Sequence, residues 1–299
     1  MNKPIILVTG GSGYIGSKIE SIENYDLINY DLKEGNDILN FENLESFFIK
    51  YDIHYVIHLA AISDVSSCEE NLQRTIDVNI IGTLYLVTLI QKYSTPEKQI
   101  GIIFSSTSAV YSCKCSLQNP LQESFSSLGK SNYSMSKMIG ENIIRSLPSS
   151  SVIILRFFNV IGGKTFLIDR IMSSLLSGSI KVYGTDYNTD DGTAVRDYIS
   201  VFDCIKAINN SITLLETRKK FNKSVEHEPN CFNIGSGIPT SVFQIIDYWK
   251  EFKNKDLKVS FTERRKGDPE IIIADNTLAK EYLKWYPSIS IKDSIISVN

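Results

Sequence analysis

No apolar run in this 299-residue chain approaches the length needed to span a bilayer. Nor is there a basic excess with which to hold a nucleic-acid backbone or an anionic membrane surface. Lys plus Arg number 31 against 34 Asp plus Glu, a formal net charge of -3, so neither nucleic acid nor membrane is expected as a partner. Cysteine is sparse. Five thiols, an odd number scattered through a large chain, do not make a disulfide framework. Cys113 and Cys115 flank Lys114 with no histidine nearby, and two ligands do not make a zinc site. All five are read as structural, and no metal is expected. Of the three histidines, His54 and His227 stand in no partner pattern, and His58, two residues before a strand-end Ala60, is read as packed and structural. Internal repeats and low-complexity linkers are also missing. Since "MNKPIILVTG" turns straight into a strand and a glycine loop, a soluble, cytoplasmic protein is expected.

What is present is globular material, 42% hydrophobic and 22% charged, enough to bury a large core or to divide in two. Strand candidates occur at 5–10 (IILVTG), 25–31 (YDLINYD), 55–61 (YVIHLAA), 100–107 (IGIIFSST) and 152–158 (VIILRFF), with helical periodicity between them. That alternation describes βαβ units, and so an α/β fold with a doubly wound parallel sheet of the Rossmann type. From about residue 163 it loosens into helix, the loop DYNTDDGTAVRDY and short strands. The second half is expected to pack on the first.

The first strand ends in TGGSGYIG, with Gly10, Gly13 and Gly16 in the order G-x-x-G-x-x-G. Glycines serve the tight turn, the close approach of backbone to a pyrophosphate and the packing of a helix on the strand, and the N-terminus of that helix offers free N–H groups to the anion. Asp31 closes the next strand in INYDL, where a carboxylate accepts both ribose hydroxyls of an adenosine and repels a 2′-phosphate. NAD is therefore favoured over NADP. Asp37 in GNDIL has two readings: it meets the adenine amino group, with Ile38 packed on the ring, or it caps the start of a helix over ILNFENLESFF.

In SNYSMSKMIG, residues 131–140, Tyr133 and Lys137 are spaced to stack on one helix face, one turn apart. Alone the pair signifies little. Upstream, however, FSSTSAVYS puts Ser105, Ser106 and Thr107 at the carboxyl end of a strand, where open α/β sheets place their ligands. Strand-end hydroxyl, Tyr–Lys pair and dinucleotide loop together resemble the extended short-chain dehydrogenase/reductases. The likeness sharpens toward the C-terminus. VYGTDYNTDDGTAVRDYISVFD (182–203), CFNIGSG (231–237) and RRKGDPEIIIADNTLAKEYLKW (264–285) closely resemble the UDP-glucose 4-epimerase family, as do VIHLAA, DVNIIGTL and RFFNVIGG.

The resemblance implies an epimerase that inverts C4 of a UDP-hexose through a 4-keto intermediate, with tightly bound NAD. Tyr133 would be the general base on the sugar 4-hydroxyl. A phenol titrates near ~10, so its proton affinity must fall by roughly 4 kcal/mol for work near neutrality, and Lys137 and the oxidised nicotinamide are the cations expected to lower it. Lys137 would also bind the ribose hydroxyls, and Thr107, where the family usually has Ser, would bond the sugar oxygen. Cofactor contacts are expected from Gly10, Gly13, Tyr14, Ile15 and Gly16, from Asp31, Asp37 and Ile38, and from Leu59, Ala60, Ala61, Asn79, Ser105 and Phe157, beside Tyr133 and Lys137. On the substrate side the resemblance implies Tyr183 stacked on uracil, Arg196 and Arg265 on the diphosphate, Asp268 fixing the neighbouring loop, and Asn159 holding backbone beside the sugar. Ile272 matches a position where a bulky Tyr narrows the hexose pocket against a 2-acetamido group, so N-acetylhexosamines are expected to be accepted. The NAD-binding domain would be 1–162, with 197–237 returning to it, and 163–196 with 238–299 would form a smaller C-terminal substrate-binding α/β domain. The apolar stretch LYLVTLI and the Tyr133 helix imply a homodimer built as a helix bundle.

Departures from the family pattern bear on the substrate. Only Lys164–Asp169 separate FFNVIGG from RIMSSLLSG, where the epimerases have a longer loop ending in an Asn-Leu pair; Leu167 and Ile168 stand there instead. Phe157 stands where Tyr is usual. A dehydratase would need an Asp-Glu pair directly after Thr107, and the residues there are Ser108 and Ala109. A decarboxylase needs a uronate pocket that the sequence does not reveal, and a reductase needs NADPH, which Asp31 disfavours. A non-catalytic nucleotide-sugar-binding protein is opposed by intact Thr107, Tyr133 and Lys137.

Overall fold

The computed structural model of the chain describes residues 3–112, 115–125, 129–162, 179–221, 228–253, 258–264 and 268–296. Strands form at Ile5–Thr9 (β1), Asp26–Tyr30 (β2), Ile53–His58 (β3), Gly101–Thr107 (β4) and Val152–Phe157 (β5), where the apolar runs predict them, and Cys231–Ile234 (β9) joins from far along the chain. Their order is β2-β1-β3-β4-β5-β9, with every pair parallel. Helices occupy Phe41–Lys50 (α1), Val65–Glu70 (α2), Leu72–Ile76 (α3), Gly82–Tyr93 (α4), Asn132–Ile144 (α5) and Val201–Phe221 (α6).

A parallel sheet needs cover on both faces, and alternate residues of each strand supply it. Ile6, Val8, Ile57, Ile103 and Leu155 meet Cys204, Ala207, Ile208 and Leu215 of α6, together with Ala279, Leu283 and Trp285 from the end of the chain. Leu7, Val56, Ile102, Phe104 and Ile154 meet Leu44 and Phe48 of α1, Leu86, Leu89 and Ile90 of α4 and Ile144 of α5. This is the doubly wound Rossmann-type arrangement.

Two expectations fail here. No helix follows the glycine loop; a single 3₁₀ turn, Gly16–Lys18, is all that forms. After the loop only residues 17–25 remain before β2 begins at Asp26, and at ~1.5 Å per residue a helix of that length cannot recross a strand of about five residues and still leave room for a turn. Ile22 and Tyr25 fill the space instead, packed with α6 and Trp285. Nor does Asp37 cap a helix. α1 starts at Phe41 and is capped by Asn40, whose side chain accepts the Asn43 N–H at 3.0 Å. Asp37 closes its own turn, with Oδ1 accepting the Leu39 N–H at 3.0 Å.

The smaller sheet is centred on β8 (Val195–Ser200). It pairs antiparallel with β10 (Pro239–Ser241) and parallel with β12 (Ile271–Ile272) and β6 (Asn159–Ile161). A further parallel pair joins β7 (Ser179–Tyr183) and β11 (Lys258–Thr262). Ile161, Val182 and Tyr198 from these strands pack on Ile245, Ile246 and Trp249 of helix α7 (Val242–Lys253). At the seam between the two parts, Val110, Tyr111, Leu121, Phe158 and Ala274 form a small core, with Met138 and Ile272 against it. Among the described residues no helix is long and apolar enough to cross a membrane. Cys68, Cys204 and Cys231 are free thiols; Cys113 and His227 lie outside the described residues.

Candidate functional site

Strand order reverses at β1, so the crevice outside the carboxyl ends of β1 and β3 is the topological switch point of the sheet. The glycine loop lies there. Gly10 has φ +73°, and a Cβ on it would stand 2.5 Å from the Ala60 amide nitrogen; one on Gly16 would stand 2.5 Å from Gly11 Cα. These two glycines let the loop close on itself and on the Leu59–Ala60 backbone. Gly13 differs, because its Cβ would meet only the Gly10 carbonyl oxygen, at 3.0 Å. Its missing side chain opens the outer surface of the loop. The Gly13 N–H bonds back to Gly10 at 3.0 Å, while those of Tyr14 and Ile15 have no partner among the described residues. Two free N–H groups beside an open glycine are donors of the kind that hold an anion, with the loop itself supplying what a helix terminus supplies elsewhere.

At the end of β2, Asp31 accepts from the N–H groups of Ser12 (3.0 Å) and Lys33 (2.8 Å), which ties the loop to the expected adenosine end. The Lys33 ammonium donates to the Ser12 carbonyl at 3.0 Å. Ile38 does not face a ring site. It is 6% exposed and fills the core against Gly82, where an added Cβ would come within 2.8 Å of it. The aliphatic side chain gains more from that burial than from an open rim. Phe157 likewise lies in the core, 5% exposed.

The Tyr133 helix begins at a capping box, in which Ser131 Oγ accepts the Ser134 N–H (3.1 Å) and Ser134 Oγ the Ser131 N–H (3.0 Å). That start brings Tyr133 to the end of β4, where Thr107 lies beside its phenol. One turn on, Lys137 Nζ donates to the Ser105 carbonyl at 2.8 Å and lies 5.0 Å over the Phe104 ring. Burial pushes the Tyr133 phenol up to about 12, with the Thr107 hydroxyl pulling it down and Cys68 raising it. Burial brings Lys137 down to about 8, against Cys68 and Glu141, which raise it. Lys137 is not among the groups that lower the phenol, contrary to the expectation. A buried ammonium needs an acceptor and has taken the Ser105 carbonyl, which leaves Thr107 as the group acting on Tyr133.

Asn79 sits in a π-helical turn, Asp77–Ile81, inserted between α3 and α4, a distortion often found at functional positions. It accepts from the Ile62 N–H (2.8 Å) and donates to the Ile62 carbonyl (3.0 Å) and Ser136 Oγ (2.9 Å), bracing the loop after β3 against α5. His58 is structural, as its position suggests. It is buried between Thr9 Oγ1 (2.7 Å) and Thr83 Oγ1 (2.9 Å), and burial pushes it down to about 3.

On the other side of the seam, Arg196 of β8 donates to Asp268 Oδ1 at 2.7 Å and to the Val195 and Glu270 carbonyls at 2.9 and 3.3 Å. Ile272 stands opposite Arg196 in the β8–β12 register. Asn159 donates to the Asp197 carbonyl at 2.9 Å, and Tyr183, at the end of β7, is 38% exposed. Arg265, Leu167 and Ile168 lie outside the described residues. Sequence reasoning missed Asp197, whose buried carboxylate accepts the N–H groups of Ser236, Gly237 and Ala274 at 2.7, 2.9 and 3.1 Å. It also missed Glu141, paired with Arg156 beneath the Tyr133–Lys137 row. Only the spacing hinted at the latter, since Glu141 follows Lys137 by the same four residues that separate Lys137 from Tyr133.

Hydroxyl, phenol and ammonium thus converge at the end of one strand while the glycine loop lies at the end of another two places away in the sheet. That convergence defines the extended short-chain dehydrogenase/reductase class. Over residues 18–297 the chain matches the GDP-mannose 4,6 dehydratase family, and it belongs to that family. Its relatives include the UDP-glucose 4-epimerase of Mycoplasma genitalium, 30% identical across 98% of this chain and 94% of that protein. Among solved structures, the UDP-glucose 4-epimerase of Brucella ovis in complex with NAD superposes with a TM-score of 0.83 at 28% identity, covering 98% of this chain and 96% of that one. The Bifidobacterium longum enzyme in complex with NAD+ and UDP gives 0.81 at 26% identity, again covering 98% and 96%.

Proposed function

We propose that this protein is an NAD-dependent UDP-hexose 4-epimerase. The observation that carries the reading is the meeting of Thr107 and Tyr133 at the end of β4, with Lys137 anchored to the Ser105 carbonyl one turn away. The family takes its description from a dehydratase, but the residues following Thr107 in its 3₁₀ turn are Ser108, Ala109 and Val110. None can give or take the proton of a water elimination, which favours epimerisation.

The residues present fit NAD. A Cβ at Gly10 or Gly16 would collide with neighbouring backbone and keep the loop from closing, the Tyr14 and Ile15 N–H groups would meet a diphosphate, and Asp31 suits a ribose without a 2′-phosphate. Gly10, Gly13, Tyr14, Ile15, Gly16 and Asp31 would hold it, with Ala60, Ala61, Asn79 and Ser105 toward the nicotinamide. Bound there, NAD supplies acceptance of the C4 hydride and its return to the opposite face. Thr107 positions the sugar oxygen and donates to the Tyr133 phenol. Tyr133 takes the proton of the 4-hydroxyl on oxidation and gives it back on reduction, so the reaction is neutral overall. Lys137, fixed by Ser105, is the cation nearest the strand end and would turn toward the ribose hydroxyls.

Tyr183 would stack on uracil and Arg196 would hold the diphosphate, with Asp268 orienting the guanidinium at 2.7 Å; Arg265 is assigned the same role from its motif. Residues 1–162 with 197–237 would serve the cofactor, and 163–196 with 238–299 the substrate. A homodimer is supported by Leu84, Met135 and Ile139, which stand 43, 42 and 37% exposed on α4 and α5. The free thiols fit the cytoplasm. The test is to denature the purified protein, identify the nucleotide released, and follow UDP-galactose to UDP-glucose without added cofactor. Release of NAD and cofactor-independent conversion are expected; a protein that carries NADP, or that acts only with added NADPH, would overturn the proposal.

A further inference from the structure

The row that begins with Tyr133 and Lys137 continues. Glu141 is the next residue on that face of α5 and is 3% exposed. Its Oε1 accepts from Ser106 Oγ at 2.5 Å and from Arg156 Nε at 2.8 Å, and its Oε2 from Arg156 Nη2 at 2.7 Å. Arg156, 4% exposed, also donates to the Glu123 carbonyl at 3.2 Å and stacks 4.8 Å over the Tyr111 ring. One carboxylate therefore fastens the helix to both β4 and β5. Ser106 is the residue between Ser105, which holds Lys137, and Thr107, which lies beside the Tyr133 phenol. A buried ion pair contributes little net stability, because desolvation offsets the attraction. What a two-pronged guanidinium–carboxylate pair does supply is fixed geometry.

We infer that Glu141 is a positioning residue for the proposed reaction: through Ser106 and Arg156 it sets how the Tyr133 helix sits on the end of β4, and hence how Tyr133 and Lys137 meet Thr107 and Ser105. Three groups face Lys137. They are Glu141 on its own helix, Cys68 on α2 and His58 at the end of β3. Burial pushes His58 down and the Cys68 thiol up; Cys68 and Glu141 both raise Lys137 against desolvation, and Glu141 is the carboxylate among the three. The kinetic consequence rests on the epimerase reading, whereas the state of Lys137 does not.

The experiment therefore has a ligand-free arm and a kinetic arm. In ¹³C-lysine-labelled protein, with the Lys137 Cε signal assigned by its loss in Lys137→Arg, Glu141→Gln should lower the Lys137 titration midpoint, because it removes a charge that raises it. The same variant should lose up to ~10²-fold in kcat, as small misplacements of reacting groups do, with KM little changed and the alkaline limb of the rate moved to lower pH. If Glu141→Gln does not fold, Glu141→Leu with Arg156→Met serves, since apolar pairs replace buried ion pairs without loss of stability in many proteins. A folded variant with a wild-type Lys137 midpoint, or with a wild-type kcat and pH profile, overturns the inference. Should the wild type epimerise nothing, the functional reading fails while the Lys137 titration still decides the role of Glu141.

Discussion

Tyr133 carries the largest consequence of any single atom in the site. Its phenol is buried, which pushes it up to about 12, so a cation and a well-placed donor are needed to make it a base. Tyr133→Phe keeps the ring, and with it the packing, and removes the oxygen. NAD should stay bound while kcat falls by ~10²- to 10⁴-fold, the usual effect of losing a general base; a variant with near-normal turnover would remove the phenol from the mechanism. His58 makes a different prediction. Burial keeps it neutral down to about pH 3, while an unfolded histidine titrates near ~6.5. Below that pH the unfolded chain binds a proton that the folded chain refuses. Stability is thus intact above ~6.5 and falls as pH drops, by about 1.4 kcal/mol for each unit. His58→Gln removes this term, so the fall in melting temperature between pH 7 and pH 5 should be shallower in the variant. Equal slopes would mean that His58 is charged in the fold.

Strands were the most legible elements because a parallel strand buried on both faces must be apolar throughout, and IILVT, IIF and VIIL leave little else to read. The short strands were not legible. Val195–Ser200 is a strand because Pro239–Ser241, Ile271–Ile272 and Asn159–Ile161 all pair with it, and no local pattern encodes partners so distant. The glycine motif misled in one respect: it implied a helix that the distance to Asp26 leaves no room to build. In the site, Thr107, Tyr133 and Lys137 were readable by spacing and strand position. Glu141 was not, because its role depends on Arg156, which comes from another strand. Gly140 tests how closely the helix must approach β4. An added methyl would come 2.7 Å from Phe104 Cζ, and Phe104 is itself 1% exposed. Helix propensity favours Ala over Gly by ~1 kcal/mol, but overpacking a core costs about 1–3 kcal/mol, and crowding should win. Gly140→Ala is expected to melt at a lower temperature than wild type and to lose kcat more than KM. An equally stable, equally active variant would show that the contact is loose.

At the scale of the whole molecule, two surfaces carry predictions. One is the face of α4 and α5, where Leu84, Met135 and Ile139 stand exposed. Sedimentation of the wild type should give twice the mass of one chain, and Leu84→Glu with Ile139→Glu should give one; a monomeric wild type would dismiss the dimer. The other is the seam, where Val110 and Tyr111, just past Thr107, meet Phe158, Ala274 and Ile272. Ile272 faces the same strand register as Arg196, so a diphosphate on Arg196 would bring the hexose toward it. Isoleucine lacks the ring and hydroxyl of the tyrosine usual there, and the space so left is expected to admit a 2-acetamido group. Wild type should therefore interconvert the N-acetylhexosamine pair as well as UDP-glucose and UDP-galactose. Ile272→Tyr should depress kcat/KM for the acetamido pair far more than for the plain hexoses, because steric exclusion outweighs the ~1–3 kcal/mol that a methylene discriminates. Overpacking the seam could slow both pairs alike, at a cost of about 1–3 kcal/mol in stability, so the ratio of the two kcat/KM values is the quantity to compare, beside the melting temperature. If wild type ignores the acetamido sugars, or if the ratio is unmoved by the tyrosine, Ile272 belongs to the seam's packing and the sugar is selected elsewhere.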